Sequence, residues 1–302
     1  MPRILTPIIL ALLFLPACAP KSPREKVKAP QPEELWTEFK NSTGLSPEMH
    51  SFRIRMSINF SGPKRRDRIL SEIWGNRNYP VRMDLKAGMG RIFSMWREDS
   101  HKWQAFYPGE NTVYRHEDGH RGSAALGFPS PFNLLETSRF LSGRYSLLTP
   151  GEFARAGKKD RCLKYFFPPD KTIRSITLDY RGVPVRIAGT DWAAELKDYD
   201  REKGMAMRMD MQLPGEKRAV IRIKEAKFRK KYWEDKQLRL RLPPDAETRY
   251  LLNSEGTGPH RSGLNKTFKF GKRKTVSICG LRGDVPRIGA SDLRHSNRGG
   301  RP

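Results

Sequence analysis

Phe52, Ile54, Met56, Ile58 and Phe60 alternate strictly with Arg53, Arg55, Ser57 and Asn59. A period of two sends successive side chains to opposite faces, so this segment has one apolar and one wetted face, as a half-buried strand requires. The pattern recurs in short runs at 69–74, 81–85, 91–97, 103–107 and 112–116. Between them stand Gly75-Asn76, Ala87-Gly88-Met89-Gly90, Asp99-Ser100 and Pro108-Gly109-Glu110-Asn111. Spacers this short, with turn chemistry, favour antiparallel neighbours over crossovers.

One helical segment interrupts the meander. In 131–141, Phe132, Leu135, Phe140 and Leu141 fall at roughly helical spacing, with Pro131 near the start and Gly143 past the end. Strand patterns resume at 162–167, 172–180, 183–188, 192–199, 205–213 and 219–228, and a last one is expected at 237–242, before Pro243-Pro244. A short helix is also expected at 33–40, with Leu35, Trp36 and Phe39 on one side. The fold class is therefore mainly β: eleven or twelve antiparallel strands in a curved sheet, forming an incomplete, half-open barrel closed by one or more helices. A one-residue slip in register would exchange every inward residue for its neighbour.

The front of the chain has a different logic. Arg3 precedes an apolar stretch at 4–15, too short to span a bilayer and interrupted by Pro7, and Leu15-Pro16-Ala17-Cys18 follows. This is the layout of a secretory signal. Leu-Pro-Ala-Cys resembles the lipobox of bacterial lipoprotein precursors, which implies covalent lipid on Cys18 and no other cofactor. Ala19, where an Asp would favour inner-membrane retention in enterobacterial lipoproteins, leans towards the outer membrane. The organisation expected is a signal peptide at 1–17, a lipidated Pro-rich tether at 18–32, a folded domain at 33–253 and a basic tail at 254–302. In that tail eleven Lys/Arg face three acids without apolar periodicity, a composition expected to stay unfolded.

The formal net charge is +25. Such an excess attracts phosphates, anionic lipid headgroups or acidic glycans, and the export signal weighs against nucleic acid. Cys162 and Cys279 could pair in an oxidising compartment, but two thiols imply no disulfide framework.

No catalytic constellation appears: there is no Gly-x-Ser-x-Gly elbow, no phosphate-binding Gly-x-x-x-x-Gly-Lys loop and no Cys-x-x-Cys. His116-Glu117-Asp118-Gly119-His120 matches the zinc-protease string. It follows a strand pattern, Asp118-Gly119 is a hairpin signal, and Gly inside a helix costs about 1 kcal/mol relative to Ala. It reads as a turn, with no metal assigned.

Methionine is the unusual residue. Met205, Met207, Met209 and Met211 share one face of a strand with Leu213. Met is flexible and polarizable, suited to apolar partners of varied shape, and equally usable as core filler. A uniquely packed core favours branched side chains, so the stripe leans towards a pocket wall.

Taken together, the lipobox, the alternating first strand, Ile73-Trp74-Gly75-Asn76, the hairpin Leu85-Lys86-Ala87-Gly88-Met89-Gly90, the helix from Pro131 and 192–199 resemble LolB-type outer-membrane lipoprotein receptors and their soluble LolA-type carrier relatives. Leu213-Pro214-Gly215 leading into 219–224 resembles the family's late hairpin. The resemblance implies a non-enzymatic protein holding acyl chains in an apolar cavity. Phe52, Ile54, Met56, Met83, Leu85, Met207, Met209 and Met211 would line it, and Met89 would enter the bilayer at the hairpin tip. The implied partners are membrane lipids, acyl chains of lipoproteins or other amphiphiles, and a periplasmic LolA-like carrier, at the periplasmic face of the outer membrane. The alternative is a structural or assembly lipoprotein with a packed core, docking on anionic glycan or an envelope protein complex.

Overall fold

The computed structural model describes residues 29–42, 46–63, 66–87, 90–128 and 130–251. The chain divides into two units after Pro30, and the regular structure of the described residues lies in the second. It opens with helix α1 (Pro32–Asn41), which has Pro at its first position, Glu33 and Glu34 in the first turn and Lys40 in the last. Each suits the unpaired groups and dipole at that end. Strands β1 (Ser51–Ser61), β2 (Arg66–Asn76), β3 (Val81–Lys86), β4 (Ile92–Glu98), β5 (Trp103–Tyr107) and β6 (Thr112–His116) follow as a meander.

Helices α2 (Gly119–Ala125) and α3 (Leu134–Leu141) and a 3-10 turn (Tyr145–Leu147) separate this meander from the second. The second comprises β7 (Arg155–Lys159), β8 (Cys162–Phe166), β9 (Ser175–Asp179), β10 (Pro184–Ala188), β11 (Ala193–Asp200), β12 (Met205–Leu213) and β13 (Lys217–Arg229). A short helix α4 (Asp235–Leu238) and β14 (Glu247–Tyr250) complete the described elements.

All fourteen strands belong to one sheet, in the order β14-β6-β5-β4-β3-β2-β1-β13-β12-β11-β10-β9-β8-β7. The two meanders join where β1 pairs antiparallel with β13, Phe52 opposite Phe228 and Phe60 opposite Ala219. A bulge between Arg55 and Met56 bends this seam, adding to the ordinary strand twist. The result is a large curved sheet that does not close into a barrel, with β7 and β14 as edges. Its concave face is apolar and its other face carries cross-strand ion pairs such as Arg53–Glu72 and Lys197–Asp210.

Four local expectations are corrected. The run at 237–242 is not a strand: Glu234 and Gln237 form a capping box around α4, whose Leu238 is the buried member. Asp118-Gly119 is not a hairpin turn but the start of α2, because Asp118 Oδ1 accepts the Arg121 N–H at 3.0 Å. The strand β7 was not anticipated, since Arg155-Ala-Gly-Lys-Lys is an edge strand with no apolar face to betray it. Nor was β14, whose four residues are all exposed and pair in parallel with β6.

Glycines let α2 sit close to the sheet. A Cβ on Gly119 would stand 2.7 Å from the Glu98 carboxylate, and one on Gly122 would stand 2.5 Å from the Trp103 ring. The α3 helix is fastened at both ends. Asn133 and Glu136 make a reciprocal capping box, and buried Glu98 accepts the Leu134 N–H at 2.6 Å and the Tyr79 hydroxyl at 3.1 Å. Past its C-terminus, fully buried Arg144 donates to the Arg77 carbonyl at 2.6 Å and to Ser142 Oγ at 3.0 Å. Burial without a carboxylate partner holds that guanidinium down, to about 10.

Candidate functional site

Along β1 the inward face changes character. Phe52 and Ile54 are completely buried in the packed core, whereas Met56, Ile58 and Phe60 face open space. The same happens along β12, where Met209 is core and Met211 and Leu213 are wall. Both strands run from the packed end of the sheet towards its rim, so their later residues reach the same place. There a cavity of about 640 Å³ lies between the concave face of β1–β5 and β12–β13, the helix α3 and the chain at 126–128 and 130–132.

That volume is within the roughly 300–1,000 Å³ of ligand pockets. Its lining is apolar, with Asp67 and Lys217 its only charged members among the described residues. Near the wall the Trp96 indole N–H is already partnered, donating to Ser94 Oγ. Nearby, burial pushes the Tyr107 hydroxyl above its usual range while it shares hydrogen bonds with Ser94 and Trp96. The wall therefore offers few groups to bind water, as an apolar guest requires. Aromatic packing stiffens the inner surface, with Trp96 4.7 Å from Phe128 and Phe132 5.3 Å from Phe140, centroid to centroid. At the rim Phe93 is 37% exposed while lining the cavity.

Of the residues proposed from sequence, Met56, Met83, Leu85 and Met211 line this cavity. Phe52, Ile54 and Met209 do not: they lie farther back on the same faces, where core residues cover them. Met207 is half-buried and also outside the lining. The β11–β12 ladder passes from Lys197 opposite Arg208 to Tyr199 opposite Ala206, and Asp198 between them takes a φ of 54°. The Ala206 N–H goes to the Tyr145 hydroxyl at 3.2 Å. The register is the same on both sides of Asp198, and Met207 beside it is left half-buried. Met89 and Cys18 lie outside the described residues. The sequence reading missed Ile58, Phe60 and Leu213, although the alternation that picked out Met56 and Met211 runs on through them. It also missed Trp96, Thr137 and the rings of Phe128 and Phe132, which no single-strand pattern could have assigned to one pocket.

The zinc-protease string does not assemble a metal site. His116 Nδ1 accepts the Asp118 N–H at 2.8 Å, and His120 Nε2 pairs with Glu136 at 2.8 Å. That pairing raises the imidazole above its ordinary value. Among the described residues no group of three or more His, Cys, Asp or Glu could hold a metal ion. None of the described helices is long and apolar enough to cross a membrane.

A LolA superfamily protein from Nitrosomonas europaea superimposes with a TM-score of 0.51 at 12% identity, covering 70% of this chain and 99% of the other. The chain has the LolA-type fold. An outer membrane lipoprotein-sorting protein domain from Vibrio parahaemolyticus matches at a TM-score of 0.42 and 14% identity, over 67% of this chain and 94% of that one. No family model matches the sequence, and no curated protein does.

Proposed function

We propose that this chain is a membrane-anchored lipoprotein of the cell envelope that takes acyl chains of lipoproteins or related amphiphiles into its apolar cavity and passes them to the outer membrane. The observation that carries this reading is the open cavity of about 640 Å³ with a nearly uncharged wall. An empty space lined by Met56, Leu85, Phe140 and Met211 leaves apolar area facing water, at roughly 25 cal/mol per Å², and a flexible hydrocarbon guest relieves that cost. Methionine at three wall positions, Met56, Met83 and Met211, suits chains of varied shape. The LolA-type fold supports the reading. In this proposal the protein is not an enzyme and needs no cofactor beyond lipid on Cys18; its partners are membrane lipids, acylated cargo and a periplasmic carrier. Direction comes from differential affinity between donor, cavity and membrane, since a binding protein shifts an equilibrium only by that difference.

The test is native mass spectrometry of the full chain purified from a bacterial envelope, with uptake of a fluorescent fatty acid as a second readout. Acyl species that co-purify with the wild type and are lost in Met211→Arg are expected. A clean ligand-free mass together with no fatty-acid uptake would overturn the reading.

A further inference from the structure

A polar groove of about 650 Å³ adjoins the mouth of the apolar cavity, and the two share Gly62, Pro63, Leu213 and Lys217. Four residues that line the groove form one cross-strand row: Arg66 on β2 stands opposite Ser61 on β1, Ser61 opposite Arg218 on β13, and Arg218 opposite Gln212 on β12. Directly opposed residues on neighbouring strands share a face and lie within side-chain reach. The row thus sets two guanidinium groups on either side of a small hydroxyl, with an amide beyond. Lys217 belongs to both spaces. Its Cγ is 3.6 Å from where a Cβ on Gly62 would stand, so its stem lies along the β1–β2 turn at the rim. A lysine so placed covers apolar surface with its methylenes and leaves its ammonium free to reach a polar neighbour.

The groove's charges are Arg66, Lys217 and Arg218 against the single carboxylate of Glu216. Neither Lys217 nor Arg218 pairs with a carboxylate among the described residues. Elsewhere on the sheet several cations stand in cross-strand or neighbouring pairs with acids, as Arg53–Glu72 and Arg208–Asp210 do. Lys217 and Arg218, interleaved with the neutral donors Ser61 and Gln212, supply a donor set that holds a phosphate or carboxylate.

We propose that this groove binds the anionic headgroup of the amphiphile whose acyl chains fill the cavity, so that the ligand class is an anionic amphiphile and not a neutral or zwitterionic one. This rests on the acyl-chain reading above. The chain enters between β1 and β12, and the headgroup turns over the rim at Gly62 and Lys217 onto the row of Arg66, Ser61 and Arg218.

The experiment compares two lysolipids with the same acyl chain, lysophosphatidylglycerol and lysophosphatidylcholine, titrated below micelle formation into the full chain. Tryptophan fluorescence reports binding, because Trp96 lines the cavity. The wild type should prefer the anionic lysolipid about tenfold, as charge-assisted hydrogen bonds to two cations imply. Arg66→Gln/Arg218→Gln, at two positions that line the groove and not the cavity, keeps much of the side-chain length, and should bring the ratio to near one while leaving the affinity for lysophosphatidylcholine unchanged. Equal binding of both lysolipids by the wild type, or a preference that survives in the variant, overturns the headgroup site and leaves the cavity standing. Absence of binding by either overturns the cavity reading and this proposal with it. Two control arms separate other sources of the same chemistry. Inorganic phosphate that binds as tightly as the anionic lysolipid would make the groove a free-phosphate site. A variant defect seen only with phosphatidylglycerol vesicles would make it a bilayer contact. Either result overturns the proposal.

Discussion

Two regions of one concave face are built from the same kinds of residue and end differently. Over β8 and the neighbouring loops, α1 drives Trp36 into a cluster in which its ring lies 5.0 Å from Tyr165, 5.5 Å from Phe167 and 5.8 Å from Phe153. Polar ties hold it there: the Trp36 indole donates to the Gly151 carbonyl at 2.8 Å and the Tyr165 hydroxyl to the Pro32 carbonyl at 2.8 Å. That region is solid. Over β1–β5 and β12–β13, the covering helix is α3, whose eight residues span about 12 Å at 1.5 Å per residue. It is fastened by Glu98 and Arg144 and reaches over only part of the wall beneath it. The contrast teaches that inward-facing apolar residues make core or pocket according to what covers them, not according to what they are.

The comparison can be broken most directly in the solid region. Trp36→Ala should cost about 3–5 kcal/mol in denaturant unfolding, as truncation of a large buried ring does, while the folded protein keeps its fatty-acid uptake. A loss below about 1 kcal/mol would mean that α1 does not plug the sheet. In the cavity, Ile58→Ala removes a half-buried side chain that already faces open space. Its stability cost should be no more than about 1 kcal/mol, with fatty-acid affinity reduced several-fold; the opposite pattern would make the wall ordinary core.

The smallest effect expected is electrostatic and concerns the helices beside the cavity. His120 on α2 pairs with Glu136 on α3, which raises the imidazole above its ordinary 6.5. A raised folded value means stabilisation that is complete below 6.5 and is lost as pH rises through the folded value. The gap in unfolding midpoint between wild type and His120→Gln should therefore shrink as pH is taken from about 5 to about 9, across the range in which imidazoles titrate. Partial exposure of the pair keeps the effect small. A gap that stays constant with pH would show that the contact between α2 and α3 is not ionic.

Much of the sheet was legible because alternation is a local signal: β1, β5, β6, β12 and β13 each announce their inward face in a few residues. The edges were not, since β7 and β14 bury little and so carry no pattern. The α2 start was misread because Asp118 is both a good turn residue and a good N-cap, and only Glu98 and Trp103, distant in sequence, decide between them. Of the wall, Met56, Met83, Leu85 and Met211 could be named from sequence. Phe52, Ile54 and Met209 carried the same signal and proved to be core.

The sequence by itself determined which side chains point inward, because the pleat imposes a period of two on any strand that buries one face. Where along each strand the interior stops being filled was decided by tertiary structure alone. That boundary depends on how far α1 and α3 extend over the sheet and on the bulge after Arg55. Each is a property of elements meeting at long range, and no window of a dozen residues contains both sides of the meeting.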